Sequence, residues 1–66
     1  MDGISWNDLD LDERRAIAML ADGVSADFCD PMALLTLARI GFITGSRLTL
    51  AGEKMLAAAV RQAFAA

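Results

Sequence analysis

The sequence predicts a mainly α domain: three main helices, with a small two-stranded antiparallel β-hairpin between the second and the third. Three observations carry this expectation. Capping residues followed by helically spaced apolar residues open at Asp10, Asp30 and Thr49. Two short β-favouring runs, Phe42-Ile43-Thr44 and Arg47-Leu48-Thr49-Leu50, are joined by the two residues Gly45-Ser46. No internal repeat or linker-like tract interrupts the 66 residues, and there is one proline, so residues 1–66 read as a single domain.

Residues 1–8 are expected to form an extended N-terminal arm, with Trp6 anchoring it against the helices. The first helix should start after Asp10, which with Glu13 makes a capping-box pair, while Asp12 and Glu13 sit where the helix dipole favours acids. Ala16, Ile17, Leu20 and Ala21 share its apolar face, and Gly23 is placed to stop it. Residues 24–29 suffice for one helical turn, with Val24 and Phe28 as core contacts. Asp30-Pro31 then reads as an N-cap followed by proline in the first turn. On this second helix Leu34, Leu35, Leu37 and Ala38 form the expected buried side, and Met32, Thr36 and Arg39 line the other. Gly41 ends it.

Glycine at the first position of a two-residue loop suits a type II′ turn, which predicts a positive φ at Gly45. Thr49 caps the final helix, which starts near Leu50. Leu56, Val60 and Phe64 recur every four residues there, and Met55, Ala59 and Ala63 form an adjacent row. Together they cover about half the circumference, wider than the roughly 100° stripe that one packing face needs. The larger row is expected in the core, leaving Met55, Ala59 and Ala63 as a partner surface.

The run Leu34-Leu35-Thr36-Leu37-Ala38-Arg39-Ile40-Gly41-Phe42-Ile43, with Arg47-Leu48-Thr49-Leu50-Ala51-Gly52 after it, resembles the second half of winged-helix domains of the MarR-like kind. In that superfamily a recognition helix ends in a Gly-apolar-apolar step into a β-wing, and the second wing strand runs into a Leu-Thr-x-x-Gly helix start. The resemblance covers roughly residues 31–56 and implies a winged-helix-like fold, with transcription regulation as the activity that goes with it. Gly52 would then allow close packing of helix on strand. The chain departs from the pattern in two places. Only about six residues stand where the first helix of a helix-turn-helix belongs, and the hairpin tip carries no basic residue. Fold therefore carries over more readily than DNA binding.

Composition bounds the function. A chain this small hides only about 60% of the surface its unfolded form exposes. Cys29 is the single cysteine and there is no histidine, which leaves no disulfide and no zinc ligand set to supply the missing stability. At 56% hydrophobic residues the chain leans toward apolar surface covered by another chain. Its least polar stretch, residues 32–43, is interrupted by Arg39 and falls short of the about 20 residues of a membrane span. Its first residues are acidic where a secretory signal is basic, so a cytoplasmic location is expected. Charge is unevenly divided. Residues 1–30 hold eight of the nine acids against Arg14 and Arg15, a net −6, whereas residues 31–66 hold four cations against Glu53, a net +3.

Catalytic groups are scarce. Neither histidine nor tyrosine is present, and Cys29 has no imidazole partner, so no enzyme is expected. Asp8, Asp10 and Asp12 begin like a calcium loop, but Glu13 stands where glycine is required and Met19 where a chelating glutamate belongs. The glycines do not form a phosphate loop, and no cofactor, metal or small molecule is implied. Two partner classes remain. The first is another protein, above all a second copy in a homodimer or other homo-oligomer, bound through Met55, Ala59 and Ala63. The second is DNA, met by Met32, Thr36 and Arg39 on the helix at residues 31–40, with Arg47 and Lys54 (or Arg61) on phosphates. That helix has one arginine and no Asn, Gln or Lys to read bases. Six basic residues in all are few against the about 6–10 phosphates that DNA binders neutralise.

Overall fold

A computed structural model describes residues 4–64. Its elements are α1 (Leu11–Ala21), α2 (Pro31–Ile40), β1 (Ile43–Thr44), β2 (Arg47–Leu48) and α3 (Leu50–Ala63), with 3-10 turns at Trp6–Asp8 and Ala26–Phe28. The mainly helical fold with a two-stranded antiparallel hairpin is thus present. The hairpin pairs Ile43 with Leu48 and Thr44 with Arg47. Gly45 has φ 62° and no non-glycine residue among those described has a positive φ, which matches a type II′ turn.

The helix ends follow the capping chemistry. The Asp10 carboxylate accepts the Glu13 N–H at 2.8 Å, and Glu13 returns the favour to the Asp10 N–H at 2.9 Å. Asp30 accepts the Ala33 N–H at 2.9 Å, and α2 closes on Gly41 in the left-handed region. Thr49 has two roles: its hydroxyl accepts the Gly52 N–H at 3.2 Å and donates to the Gly41 carbonyl at 2.6 Å. One side chain therefore caps α3 and ties it to the end of α2.

The core is Leu9, Ala16, Ile17, Leu37, Phe42 and Ile43, with Trp6, Leu20, Cys29, Leu34, Ile40, Leu48, Met55 and Leu56 packed around it. α1 lies at the centre, against α2, α3 and β2. Buried alanines on α1 and α2, Ala16 and Ala33, let these helices approach closely.

Four expectations need correction. The arm is not extended throughout: Asp8 accepts the Ser5 N–H at 2.8 Å, which winds Trp6–Asp8 into a turn and delivers Leu9 to the core. Arg14 then holds the turn, its guanidinium donating to the Trp6 and Asn7 carbonyls, each at 3.1 Å. Phe28 is 75% exposed rather than buried, because the Ser25-capped turn directs it outward and places Cys29 against the core. Ala21 is exposed, so the buried face of α1 is narrower than its apolar spacing suggested. The buried face of α2 is turned by about one residue, some 100°. It runs through Ala33 and Leu37, flanked by Leu34 and Ile40, whereas Leu35 and Ala38 are exposed. A contiguous Leu-Leu-Thr-Leu-Ala run lets several faces look apolar, and the strand leaving Gly41, with Phe42 and Ile43 buried, selects the one that points inward.

Candidate functional site

Thr49 and Gly52 decide how α3 leaves the domain. With the first turns of α3 held against the hairpin, Met55 and Leu56 still reach the core, and Ala59 is half-buried. Beyond Ala59 every described residue is exposed. The last turn of α3 thus projects past the packed core, and the expectation that Val60 and Phe64 belong to the core is wrong. Val60 is 48% exposed, and Phe64, which closes the helix, is 85% exposed. The core is too short along the axis of α3 to cover a row that continues for three turns.

The row of Met55, Ala59 and Ala63 is split as well. Met55 packs against the core and Ala63 is exposed. Met55 and Ala59 also line an open groove of about 690 Å³ between α3 and the N-terminal turn, together with Ile4, Trp6, Ala51 and Ala58. Part of the row therefore faces the protein's own N-terminal turn. Trp6, rather than a partner helix, is the large side chain beside the small residues.

The residues considered for nucleic acid do not assemble on one surface. Met32 and Arg39 are exposed on α2. Thr36 is half-buried, and its hydroxyl donates to the Met32 carbonyl within the helix at 3.1 Å. Arg47 lines a cleft with Leu20, Ala21, Leu48 and Glu53. Lys54 lies on the other side of α3, in the groove beside Ile4 and Trp6. The start of α2, the end that usually enters a major groove, is flanked by Asp27 and Asp30, whose charge repels phosphate.

Two exposed apolar residues before and along α2, Phe28 and Leu35, were assigned to the core from the sequence. Phe28, Met32 and Leu35 are exposed, and the exposed Arg39 falls on the same face of α2, seven residues after Met32 and four after Leu35. The i, i+3 spacing of Met32 and Leu35 was the available signal, obscured by Leu35 having been grouped with Leu34. Among the described residues no three His, Cys, Asp or Glu side chains converge to hold a metal ion, and no helix is long and apolar enough to cross a membrane. Compared with protein-family models, curated proteins and solved structures, the chain has no match in any of the three.

Proposed function

We propose that this protein is a non-enzymatic interaction module of winged-helix type that self-associates through α3. The observation that carries the reading is the exposed outer half of that helix, where Val60 and Phe64 stand clear of the body. Beyond Ala59 the helix gains no packing from the domain's own core, and in proteins most helical stability comes from such packing. Packing against another chain supplies what the domain's own core does not, and burying a phenylalanine side chain contributes about 1.5–3 kcal/mol. Light scattering on a sizing column should therefore show mass rising above that of one chain as concentration increases. Phe64→Glu should return the protein to a monomer with unchanged helical circular dichroism. A wild type that stays monomeric at millimolar concentration removes self-association.

DNA binding is the second reading, favoured by the exposure of Met32 and Arg39 on the helix that precedes the hairpin. The separation of Arg47 from Lys54, and the acids at the start of α2, place it below the first. Titration of mixed-sequence DNA at physiological salt should give no binding tighter than roughly 10⁻⁵ M, the range of non-specific contact. A nanomolar, sequence-selective complex would reverse the order.

A further inference from the structure

We propose that the groove between α3 and the N-terminal turn binds a single-chain amphiphile with an anionic head, namely a medium-chain fatty acid. The site does not rest on self-association, because it runs along the side of α3 away from Val60. Ala58 and Gln62 line it, and Val60 stands two residues from each, about 200° around the helix. The walls follow from the sequence. Ala51, Ala58 and Ala59 leave a low floor on α3, which Ile4 and Trp6 face across the groove. Trp6 is held in place without a ligand: its carbonyl accepts from the Arg14 guanidinium at 3.1 Å, and Asp8 accepts the Ser5 N–H at 2.8 Å. A wall ordered in advance spares the ligand the cost of ordering it. From Ala51 to Gln62 the groove follows eleven helical steps, about 16 Å, which suits an extended alkyl chain. Its volume of about 690 Å³ falls within the range of about 300–1,000 Å³ typical of small-molecule sites.

Charge selects the head group. Among the described residues that line the groove, Lys54 is the one charged side chain, and the other polar ones, Ser5 and Gln62, are neutral. Asp8, the acid of the N-terminal turn, is engaged by Ser5 through both its N–H and its hydroxyl, at 2.8 and 3.3 Å. Glu53, next to Lys54 in sequence, lines a different cleft together with Arg47. That cleft, and a further one holding Arg15 and Asp22, each carry both signs and balance their own charge. The groove beside Trp6 differs from both in pairing an apolar lining with one unbalanced cation. A carboxylate at Lys54, with its hydrocarbon along Trp6, Met55 and Ala58, satisfies both features at once. The chain as a whole carries a net charge of −3, which favours cations. A preference for the anionic amphiphile therefore has to come from a local cation.

Trp6 is the only tryptophan and there is no tyrosine, so intrinsic fluorescence reads the groove directly. Titrating the full chain with dodecanoate, below its micelle concentration, should move Trp6 emission to shorter wavelength and saturate at one molecule per chain. Dodecylammonium should bind about tenfold more weakly, the difference expected of one charge-assisted hydrogen bond. Lys54→Met, at an exposed position, should weaken dodecanoate by the same factor and erase the preference between the two amphiphiles. Ala58 is also exposed, so Ala58→Phe should fill the groove and abolish both titrations while helical circular dichroism is unchanged. Absence of saturable dodecanoate binding overturns the proposal. Equal affinity of wild type for the two amphiphiles overturns it too, since that describes an apolar surface without a head-group site. Binding that survives both Lys54→Met and Ala58→Phe lies elsewhere on the chain, with the same consequence. An emission shift that appears when wild type is concentrated without any amphiphile puts a second copy in the groove instead of a fatty acid.

Discussion

Replacing Gly52 with alanine is expected to destabilise the domain by about 2–3 kcal/mol, although alanine is the better helix former. A Cβ on Gly52 would land on the carbonyl oxygen of Phe42 and approach Leu48 Cδ2 to 3.1 Å. That carbonyl cannot swing aside, because it accepts the Thr49 N–H at 2.9 Å, and the Phe42 N–H is itself bound to the Leu37 carbonyl at 2.9 Å. Relief requires α3 to move off the hairpin, which breaks the contact of the Thr49 hydroxyl with the Gly41 carbonyl. Overpacking costs about 1–3 kcal/mol, occasionally more, and collision with a pinned backbone belongs at or above the top of that range. The opposing gain in helix propensity is about 0.8–1.0 kcal/mol. At about 4–8 °C per kcal/mol for a domain of this size, thermal melts should fall by roughly 8–24 °C. Ala57→Gly, at an exposed position of the same helix, should lose only about 1 kcal/mol, from propensity alone. A Gly52→Ala protein that melts higher than wild type would show that α3 stands away from the hairpin.

Gly52 also shows what kind of information a single sequence holds. Its need for a missing side chain was legible because the strand, the cap and the glycine occur in order over a few residues. Asp10, Asp30, Thr49 and the Gly45 turn were legible for the same reason: each works through hydrogen bonds or dihedral angles set by near neighbours. Which way a helix faces is decided elsewhere. α2 offers apolar side chains around most of its circumference, so its orientation depends on where Phe42 and Ile43 enter the core, and periodicity could not supply that. The outer half of α3 failed for a related reason. Leu56, Val60 and Phe64 are equivalent by spacing, but only Leu56 lies within the length of the body. The exposure of Phe28 and Leu35 likewise emerged only once the faces were known.

Leu37→Ala is expected to be the most damaging of the core truncations and to leave a large share of the protein unfolded at room temperature. Leu37 and Ile17 are the largest side chains that are completely buried, each 0% exposed. Leu37 sits on α2 where the helix meets α1, and its carbonyl accepts the N–H groups of Gly41 and Phe42 that turn the chain toward β1. Truncating a buried leucine costs about 2–5 kcal/mol, depending on how far its surroundings collapse into the cavity. Here the surroundings are capped helices and a hairpin tied by Thr49, which limits collapse. A domain of 66 residues holds about 3–10 kcal/mol in total, so the loss is of the same order as the whole stability. Leu35→Ala provides the contrast, because the apolar run alone would bury both leucines. In the structure Leu35 is exposed, and its truncation should change stability by about 0.5 kcal/mol or less. Urea titrations of both variants, at concentrations below the onset of association, compare the two sides of α2 directly. Equal losses at Leu35 and Leu37 would mean that the helix is rotated back toward the face its apolar run suggests, and Leu35 would then be core rather than surface.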